Sequence, residues 1–170
     1  MDNIFLIGYM GTGKTTVSRQ LGRRMKRLEV DLDLEIETRT GRTIPDIFEK
    51  EGEAYFRRLE TKVIREYENK QGYVVSCGGG APLLAENVES MRKGGVIVLL
   101  TASAHTVYQR VQGSKSRPLL NRNMKEEYIR EMMEAREPYY RRAAQITVAT
   151  DDKSPEELAA MIAEAVEKLQ

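Results

Sequence analysis

The sequence predicts a three-layer α/β/α domain built around a five-stranded parallel sheet. Short aliphatic and β-branched runs alternate along the chain with longer amphipathic segments, which is the pattern of repeated βαβ units. The first run, Ile4 to Ile7, has no polar interruption, as expected for a strand that helices cover on both faces. A chain of 170 residues can bury one continuous core but not two. We therefore expect a single domain over residues 1–170.

The individual strands and helices are predicted from the short aliphatic runs and from the amphipathic segments between them. The predicted strands are Ile4 to Ile7, a short segment flanked by Val30 and Leu32, Tyr73 to Ser76, Gly95 to Leu100, and Ile146 to Val148. Apolar residues recur at helical spacing in six segments: Lys14 to Lys26, Ile44 to Tyr67, Leu83 to Arg92, Ala104 to Val111, Glu126 to Arg142, and Pro155 to Leu169. Ser154 before Pro155 is a typical N-cap for the last of these helices.

Residues 112–123 differ from the rest of the chain. Glycine, serine, proline and asparagine are frequent there, which favours a loop. The segment also contains Lys115, Arg117 and Arg122. We therefore expect a mobile, positively charged loop that could close over a bound ligand.

Charge and cysteine content exclude several classes of partner. The chain has 27 lysines and arginines against 26 acidic residues, so no overall field would attract nucleic acid or a membrane surface. Its apolar runs are far shorter than a membrane-spanning helix requires. The single cysteine, Cys77, cannot form an internal disulfide, and the start of the chain lacks a signal-peptide pattern. These features predict a cytoplasmic protein.

The clearest motif is GYMGTGKT, from Gly8 to Thr15. It matches G-x-x-x-x-G-K-[ST] and lies between the first strand and the first helix, where a phosphate-binding P-loop belongs. Backbone N–H groups of such a loop bind phosphate oxygens, its lysine adds a point charge, and its threonine hydroxyl can bind Mg²⁺. The residues expected to contact ATP here are Gly11, Thr12, Gly13, Lys14, Thr15 and Thr16.

The P-loop alone leaves the phosphoryl acceptor open, since water, a protein, a nucleotide or a metabolite could fill that role. The chain has no long insertion that could form switch segments. Its remaining length suffices for a substrate pocket and a lid. A metabolite kinase therefore fits the sequence better than a nucleotide-driven switch protein.

Acidic residues after the second strand are candidates for the acceptor site. Asp31 and Asp33 are one residue apart, so they would point to opposite sides of a continuing strand. One could then face Mg²⁺ beside Thr15, while the other accepts a hydrogen bond from a substrate hydroxyl and withdraws its proton. The alternative is an acid-rich helix start, because Glu35 and Glu37 follow.

Three further positions are ambiguous from the residues alone. Arg57 lies one helical turn before Glu60, which could fix its guanidinium for a carboxylate ligand, but a surface ion pair is the more ordinary interpretation. Gly78 to Gly80 follow the third strand at its carboxyl end, where ligands bind in such sheets. Three successive glycines would leave room for a ring against the backbone. Arg136 lies in a highly charged helix and would by itself be taken for solvated surface.

Together these segments resemble the shikimate kinase family, in the same order and over essentially the whole chain. The similarity includes the P-loop, the D-x-D pair, the segment Gly52 to Glu60 (G-E-x-x-F-R-x-x-E), the triple glycine and the R-P-L-L segment that begins at Arg117. The resemblance implies ATP-dependent phosphorylation of the 3-hydroxyl of shikimate to give shikimate 3-phosphate, in the chorismate branch of aromatic amino acid biosynthesis. It also implies the strand order 2-3-1-4-5, a substrate-binding region at residues 33–60, and a monomer.

The resemblance implies roles for individual residues as well. Asp33 would hold ring hydroxyls and act as the base, Arg57 and Arg136 would bind the carboxylate, and Gly79 and Gly80 would line the pocket. Arg117 would reach the phosphates from the lid. Arg110 and Pro155 would flank the adenine, and Asp31 would act with Thr15 on Mg²⁺.

Two other functions remain alternatives. A sugar-acid or nucleoside monophosphate kinase could use a similar small scaffold, although the arginine pair and the triple glycine favour a carboxylated polyol. A nucleotide-binding module without transfer activity would be expected to lack Asp33 or Arg117, and this sequence has both.

Overall fold

The structure, a computed structural model, describes residues 2–112 and 125–170. The strands are β1 (Asn3–Ile7), β2 (Leu28–Asp31), β3 (Tyr73–Ser76), β4 (Gly95–Thr101) and β5 (Ile146–Ala149). The helices are α1 (Lys14–Met25), α2 (Leu32–Thr40), α3 (Ile44–Glu51), α4 (Glu53–Glu66), α5 (Ala85–Gly94), α6 (Ala104–Val111), α7 (Glu126–Ala143) and α8 (Pro155–Leu169). A short 3-10 helix spans Ala81–Leu83.

The five strands form one parallel sheet in the order β2-β3-β1-β4-β5. β1 lies at the centre, where Phe5 is in register with Val75 of β3 and with Ile97 of β4. All five residues of β1 are buried. The predicted fold class and strand order are therefore confirmed.

Alternate residues of β1 enter two separate hydrophobic cores. Phe5 and Ile7 belong to the core that contains side chains of α2 to α7, whereas Ile4 and Leu6 belong to the core formed with α1 and α8. The two cores lie on opposite faces of the sheet, because successive strand residues point to opposite sides. The first core supports the helices that surround the loops at the carboxyl ends of β1, β2 and β3.

The structure corrects two predicted element boundaries in the first half of the chain. The second strand ends at Asp31, and Leu32 is the first residue of α2 rather than the end of a strand. The predicted helix over residues 44–67 is two helices, α3 and α4, with Gly52 between them. Gly52 has a φ of 87°, which favours glycine, and its N–H closes the end of α3 on the carbonyl groups of Ile47 and Phe48.

The predicted bounds of β3, α6 and α8 agree with the structure. The helix expected over residues 83–92 instead begins at Ala85 and ends at Gly94, after the 3-10 turn. Apart from Gln112, the predicted lid lies outside the described residues. Among the helices that the structure describes, none has the length and apolar character needed to span a membrane.

Candidate active site

A cavity of about 520 Å³ lies where the loops after β1, β2 and β3 meet. The P-loop forms one wall, α2 to α4 form a second, and the glycine turn after β3 forms a third. Its lining includes most of the predicted site residues: Gly11, Gly13, Lys14, Thr15, Thr16, Asp31, Asp33, Arg57, Gly79, Gly80, Arg110 and Arg136. These residues are separated by up to 125 positions in sequence, so the fold alone brings them together.

The P-loop has the backbone conformation that its glycines permit. Gly11 and Gly13 have φ values of 80° and 96°, in the region that residues with a side chain rarely adopt. Gly13 immediately precedes α1, so the loop turns its N–H groups and the positive end of the helix dipole toward the cavity. The Nζ of Lys14 donates hydrogen bonds to the carbonyl oxygens of Gly8 (2.7 Å) and Tyr9 (2.9 Å). The loop therefore has a backbone form that suits anion binding, with the Lys14 ammonium held against it.

Three other residues assigned to nucleotide binding, Thr12, Arg110 and Pro155, differ from one another in where they lie relative to the P-loop. Thr12 is buried, and its hydroxyl donates to the Tyr9 carbonyl at 2.8 Å, so it braces the loop from inside. Arg110 of α6 donates to the Gly11 carbonyl at 3.0 Å and thus lies directly beside the P-loop. Pro155 opens α8 and is not among the residues that line the cavity. Arg117 lies outside the described residues.

Thr15 and Asp31 come together at the start of α1 and the end of β2. The Thr15 hydroxyl lies 3.4 Å from Asp31 Oδ2, and both residues line the cavity. A hydroxyl and a carboxylate are the oxygen ligands that Mg²⁺ prefers, with water and phosphate oxygens completing its coordination. The described residues contain no cluster of three or more side chains that would hold a metal without such additional ligands. The donor set therefore fits a metal bound together with a nucleotide.

The two aspartates do not lie on opposite sides of a strand, so that prediction is wrong. Asp31 caps α2, where its Oδ1 accepts a hydrogen bond from the Leu34 N–H at 3.2 Å. Asp33 lies in the first turn of the same helix. The chain thus has the acid-rich helix start that was the alternative. The two carboxylates nevertheless have different neighbours: Asp31 faces Thr15, whereas Asp33 faces Gly78.

Arg57 and Glu60 do not form a surface ion pair, which was the more ordinary interpretation of the sequence. Arg57 Nη1 donates to Glu60 Oε1 at 3.0 Å, and the two side chains are 18% and 0% exposed. A second bond of 3.2 Å joins Arg57 Nη2 to Glu53 Oε1. Because two carboxylates fix one guanidinium, Arg57 presents its remaining donors to the cavity in a defined orientation.

Burial has a large effect on Glu60. It raises the pKa of the Glu60 carboxyl to about 7, against the opposing influence of Arg57. Cys77 directly follows β3 and is also buried, near Glu60 and Asp33. Burial raises the pKa of its thiol. Its thiol is therefore protonated and unreactive at neutral pH.

Each glycine of the triple-glycine turn faces a different functional side chain. A Cβ atom at Gly78 would lie 3.0 Å from Asp33 Oδ1 and 3.1 Å from Glu60 Oε2. At Gly79 it would lie 3.1 Å from Arg136 Nη1, and at Gly80 it would collide with the Arg57 guanidinium. None of the three glycines has a positive φ. The turn needs glycine because side chains of α2, α4 and α7 crowd it.

Arg136 of α7 also lines the cavity. Its guanidinium lies 5.6 Å from the centre of the Tyr9 ring, so a cation–π contact connects it to the P-loop. One turn later, Tyr140 donates a hydrogen bond to the Gly79 carbonyl at 2.7 Å. Arg136 is thus held between the P-loop and the glycine turn, rather than lying on a solvated surface.

Several residues of this site had no assigned role from sequence. Gly78 lies against Asp33 and Glu60. The cavity is also lined by the apolar residues Ile44, Pro45, Phe48 and Phe56. The glycine triplet was a usable signal for Gly78. Helical periodicity could not identify the apolar residues as part of the site, because the same pattern is expected of residues that face the core.

Comparison with known proteins finds relatives over nearly the whole chain. The family model described as Shikimate kinase matches residues 10–167. The shikimate kinase of Persephonella marina is 41% identical over 155 residues, which are 91% of this chain and 93% of the relative. That of Caldanaerobacter subterraneus subsp. tengcongensis is 39% identical over 170 residues, which are 100% and 99% of the two chains.

Solved structures show the same similarity. The structure of the shikimate kinase from Acinetobacter baumannii in complex with shikimate superposes with a TM-score of 0.94 at 39% identity, over 100% of this chain and 95% of that one. A gluconokinase from Sinorhizobium meliloti has a TM-score of 0.58 at 16% identity, over 99% and 95% of the two chains. The second similarity shows a shared fold alone.

Proposed function

We propose that this chain, which belongs to the shikimate kinase family, transfers the γ-phosphate of ATP to the 3-hydroxyl of shikimate. The products are shikimate 3-phosphate and ADP, and the reaction belongs to the chorismate branch of aromatic amino acid biosynthesis. The observation that carries the proposal is that Arg57, Arg136 and Asp33 converge on one glycine turn, in the same cavity as the P-loop. Two cations and a carboxylate around an open backbone suit a hydroxylated ring that bears a carboxylate.

Arg57 and Arg136 bind the carboxylate of shikimate in this proposal. They come from α4 and α7 and approach neighbouring glycines, Gly80 and Gly79, so both guanidinium groups lie close to the same turn. Planar guanidinium groups bind a carboxylate through paired hydrogen bonds. The ring then lies against Gly79 and Gly80, and its hydroxyl groups point toward Asp33.

Asp33 accepts a hydrogen bond from the reacting hydroxyl and orients its oxygen toward the γ-phosphorus. In the transfer, the hydroxyl oxygen forms a bond to phosphorus, the bond from phosphorus to the β,γ-bridging oxygen breaks, and the proton passes to Asp33. Because phosphoryl transfer proceeds through a loose transition state, most of the rate enhancement comes from alignment and charge stabilisation. Asp33 contributes to both, as a hydrogen-bond acceptor and as a base.

The phosphates of ATP bind to the P-loop. The N–H groups from Gly11 to Thr16 and the start of α1 surround the phosphate oxygens, and Lys14 is placed at the edge of the loop to contact the transferred group. We assign Arg110 and Pro155 to the adenine side of the site. Arg110 supports this assignment through its bond to Gly11, whereas Pro155 remains a prediction from the family resemblance.

Kinases of this family use ATP, and a divalent metal accompanies it. Thr15 and Asp31 would hold Mg²⁺, in keeping with their oxygen donors and their shared place at the cavity. The ion supplies neutralisation of phosphate charge when it is bound. Arg117, in the predicted lid at residues 112–123, supplies further positive charge in this proposal.

The organisation of the chain is part of the proposal. One kinase domain would span residues 1–170, with acceptor-binding groups concentrated in residues 33–60. A monomeric state and a cytoplasmic location stay predictions from the sequence and the family resemblance.

The test is ADP release from Mg·ATP by the purified protein with shikimate, gluconate, AMP or no acceptor. We expect release that depends on shikimate and on none of the other compounds. Equal or faster release with gluconate or AMP would contradict the assigned acceptor but keep the kinase reaction. Lack of release with every acceptor would contradict the transfer reaction itself.

A further inference from the structure

The two carboxylate oxygens of Glu60 have different surroundings. Oε1 accepts the 3.0 Å hydrogen bond from Arg57 Nη1. Oε2 is buried and has no hydrogen-bond partner among the described residues. It faces Gly78, since a Cβ atom there would lie 3.1 Å away. A fully buried carboxylate thus lines the acceptor cavity with one oxygen satisfied and the other available.

Ionisable groups from several parts of the fold lie around the Glu60 carboxylate. Arg57 and Glu53 lie on its own helix, Asp33 approaches from α2, and the Cys77 thiol lies at the end of β3. Burial raises the pKa of Glu60 to about 7, Arg57 opposes this, and the negative charges of Asp33 and Glu53 add to it. Near neutral pH, a small change in the local field therefore changes the fraction of Glu60 that is protonated.

We propose that Glu60, whose Oε1 accepts a hydrogen bond from Arg57, takes up a proton when the acceptor's carboxylate binds to Arg57. The inference rests on the proposed function, because it needs a carboxylate ligand at that guanidinium. The bound carboxylate shares the positive charge on which ionised Glu60 depends, and it brings a further negative charge close to Glu60. The ligand also excludes water from the cavity. All three effects favour the neutral form of Glu60.

The proton moves from solvent to Oε2, while Oε1 keeps its hydrogen bond from Arg57. No other covalent bond changes. Protonation removes one of the two negative charges that face Gly78 and leaves Asp33 as the ionised group on that side. It also converts Oε2 into a hydrogen-bond donor next to the bound ring. Glu60 thus holds Arg57 before binding and compensates the added charge after it.

Isothermal titration calorimetry of shikimate binding tests the proposal without turnover. The titration is repeated near pH 7 in buffers that differ in ionisation enthalpy, and the dependence of the observed heat on that enthalpy gives the protons taken up. We expect net uptake of a fraction of a proton per shikimate bound for the wild type, since a carboxyl that is partly ionised near neutral pH takes up protons when its neutral form is favoured. Glu60→Gln should abolish the uptake.

Glu53→Gln is the matched control, because it removes the other, 66% exposed partner of the same arginine and should leave the uptake in place. Binding without proton uptake in the wild type, or uptake unchanged in Glu60→Gln, would overturn the inference and leave the proposed function standing. Complete absence of shikimate binding would overturn both.

A second measurement keeps the proposal falsifiable if Glu60→Gln does not fold. The wild-type affinity for shikimate should rise as pH falls through 7, because the complex holds more protons than the free protein. His105, the single histidine of the chain, is 65% exposed on α6, and His105→Gln should retain this dependence. An affinity that does not change with pH, or a dependence that disappears in His105→Gln, would contradict the role of Glu60.

Discussion

The Tyr140 hydroxyl donates a hydrogen bond of 2.7 Å to the Gly79 carbonyl, and thereby ties α7 to the glycine turn after β3. Tyr140 is 4% exposed, so its hydroxyl is shielded from water. Arg136 lies one helical turn earlier on the same helix and approaches the same glycine. The bond therefore fixes both the turn and the arginine relative to each other.

Tyr140→Phe should lower stability and weaken acceptor binding. The substitution leaves the half-buried Gly79 carbonyl without this partner, which costs about 0.5–1.5 kcal/mol of unfolding free energy. The KM for shikimate should rise while the KM for ATP stays unchanged, because the P-loop is untouched. Chemical denaturation and steady-state kinetics measure the two effects. Tyr139→Phe is the control, since Tyr139 is 45% exposed and should change neither quantity. Equal effects of both variants would contradict the structural role of this bond.

Gly80→Ala should impair acceptor binding without unfolding the protein. Gly80 has no positive φ, so alanine is compatible with its backbone, but the new Cβ atom would collide with the Arg57 guanidinium. Displacement of Arg57 loses charge-assisted hydrogen bonds and should raise the KM for shikimate by about tenfold or more. In an Arg57→Ala background, the same change should add little. Additive effects of the two substitutions would show that Gly80 acts independently of Arg57.

Asp31→Asn separates the proposed metal-binding role of Asp31 from its role as the N-cap of α2. Asparagine is as good an N-cap as aspartate, so the start of α2 should be retained. The lost negative charge should raise the Mg²⁺ concentration needed for half-maximal turnover by about tenfold, and a chelator should abolish turnover of the wild type. Asp31→Ala should in addition lower the thermal midpoint. An unchanged Mg²⁺ requirement in Asp31→Asn would remove this residue from the metal site.

Arg117→Ala should lower kcat by about a hundredfold or more, with a much smaller effect on shikimate affinity, if this residue stabilises charge in the transition state. Lys115→Ala, in the same predicted loop, is the control for a general loss of positive charge. Pre-steady-state kinetics and a binding titration give the two quantities. Weaker binding with unchanged turnover would exclude the predicted role.

Because Arg39 and Glu66 form an ion pair, we expect the free energy of unfolding to depend on pH in the acid range. Arg39 binds Glu66 through two hydrogen bonds of 2.6 and 2.8 Å, which join α2 to α4, and these bonds lower the pKa of Glu66 from 4.5 to about 2. The stabilisation is therefore fully present above pH 4.5 and is lost as pH falls toward 2. Partial exposure of both side chains reduces its size.

The measurement is urea denaturation of the wild type and of Glu66→Gln at several pH values. The stability difference between them should be largest near neutral pH and should shrink in acid. Glu164→Gln, which removes an exposed pair with Lys168, should show no measurable difference at any pH. A difference for Glu66→Gln that is independent of pH would exclude this ion pair as its source.

The backbone conformation of the P-loop could be predicted from sequence, because its residues are contiguous. Gly8 to Thr15 form a local motif whose backbone conformation depends on its own glycines. The acceptor side depends on contacts between distant elements, so local patterns left it ambiguous. Arg57 gives the same helical signal whether Glu60 is exposed or buried, and only the packing of α4 shows that it is buried.

The errors have similar physical causes. The helix α2 was missed as an element because it buries only Leu32 and Ile36, which is too weak a periodic signal. The break at Gly52 was missed because apolar residues continue at helical spacing on both sides of it. In each case the backbone follows tertiary contacts and a single glycine rather than the apolar pattern.

The burial of Cys77 has a practical consequence for labelling studies. The chain has one native thiol, and that thiol is 2% exposed and protonated at neutral pH. A cysteine introduced at an exposed position, such as the 61% exposed Leu34, would be the one group to react with a maleimide dye under native conditions. Fluorophores can thus be attached at chosen points around the site in the otherwise unmodified protein, and ligand-induced distance changes followed directly.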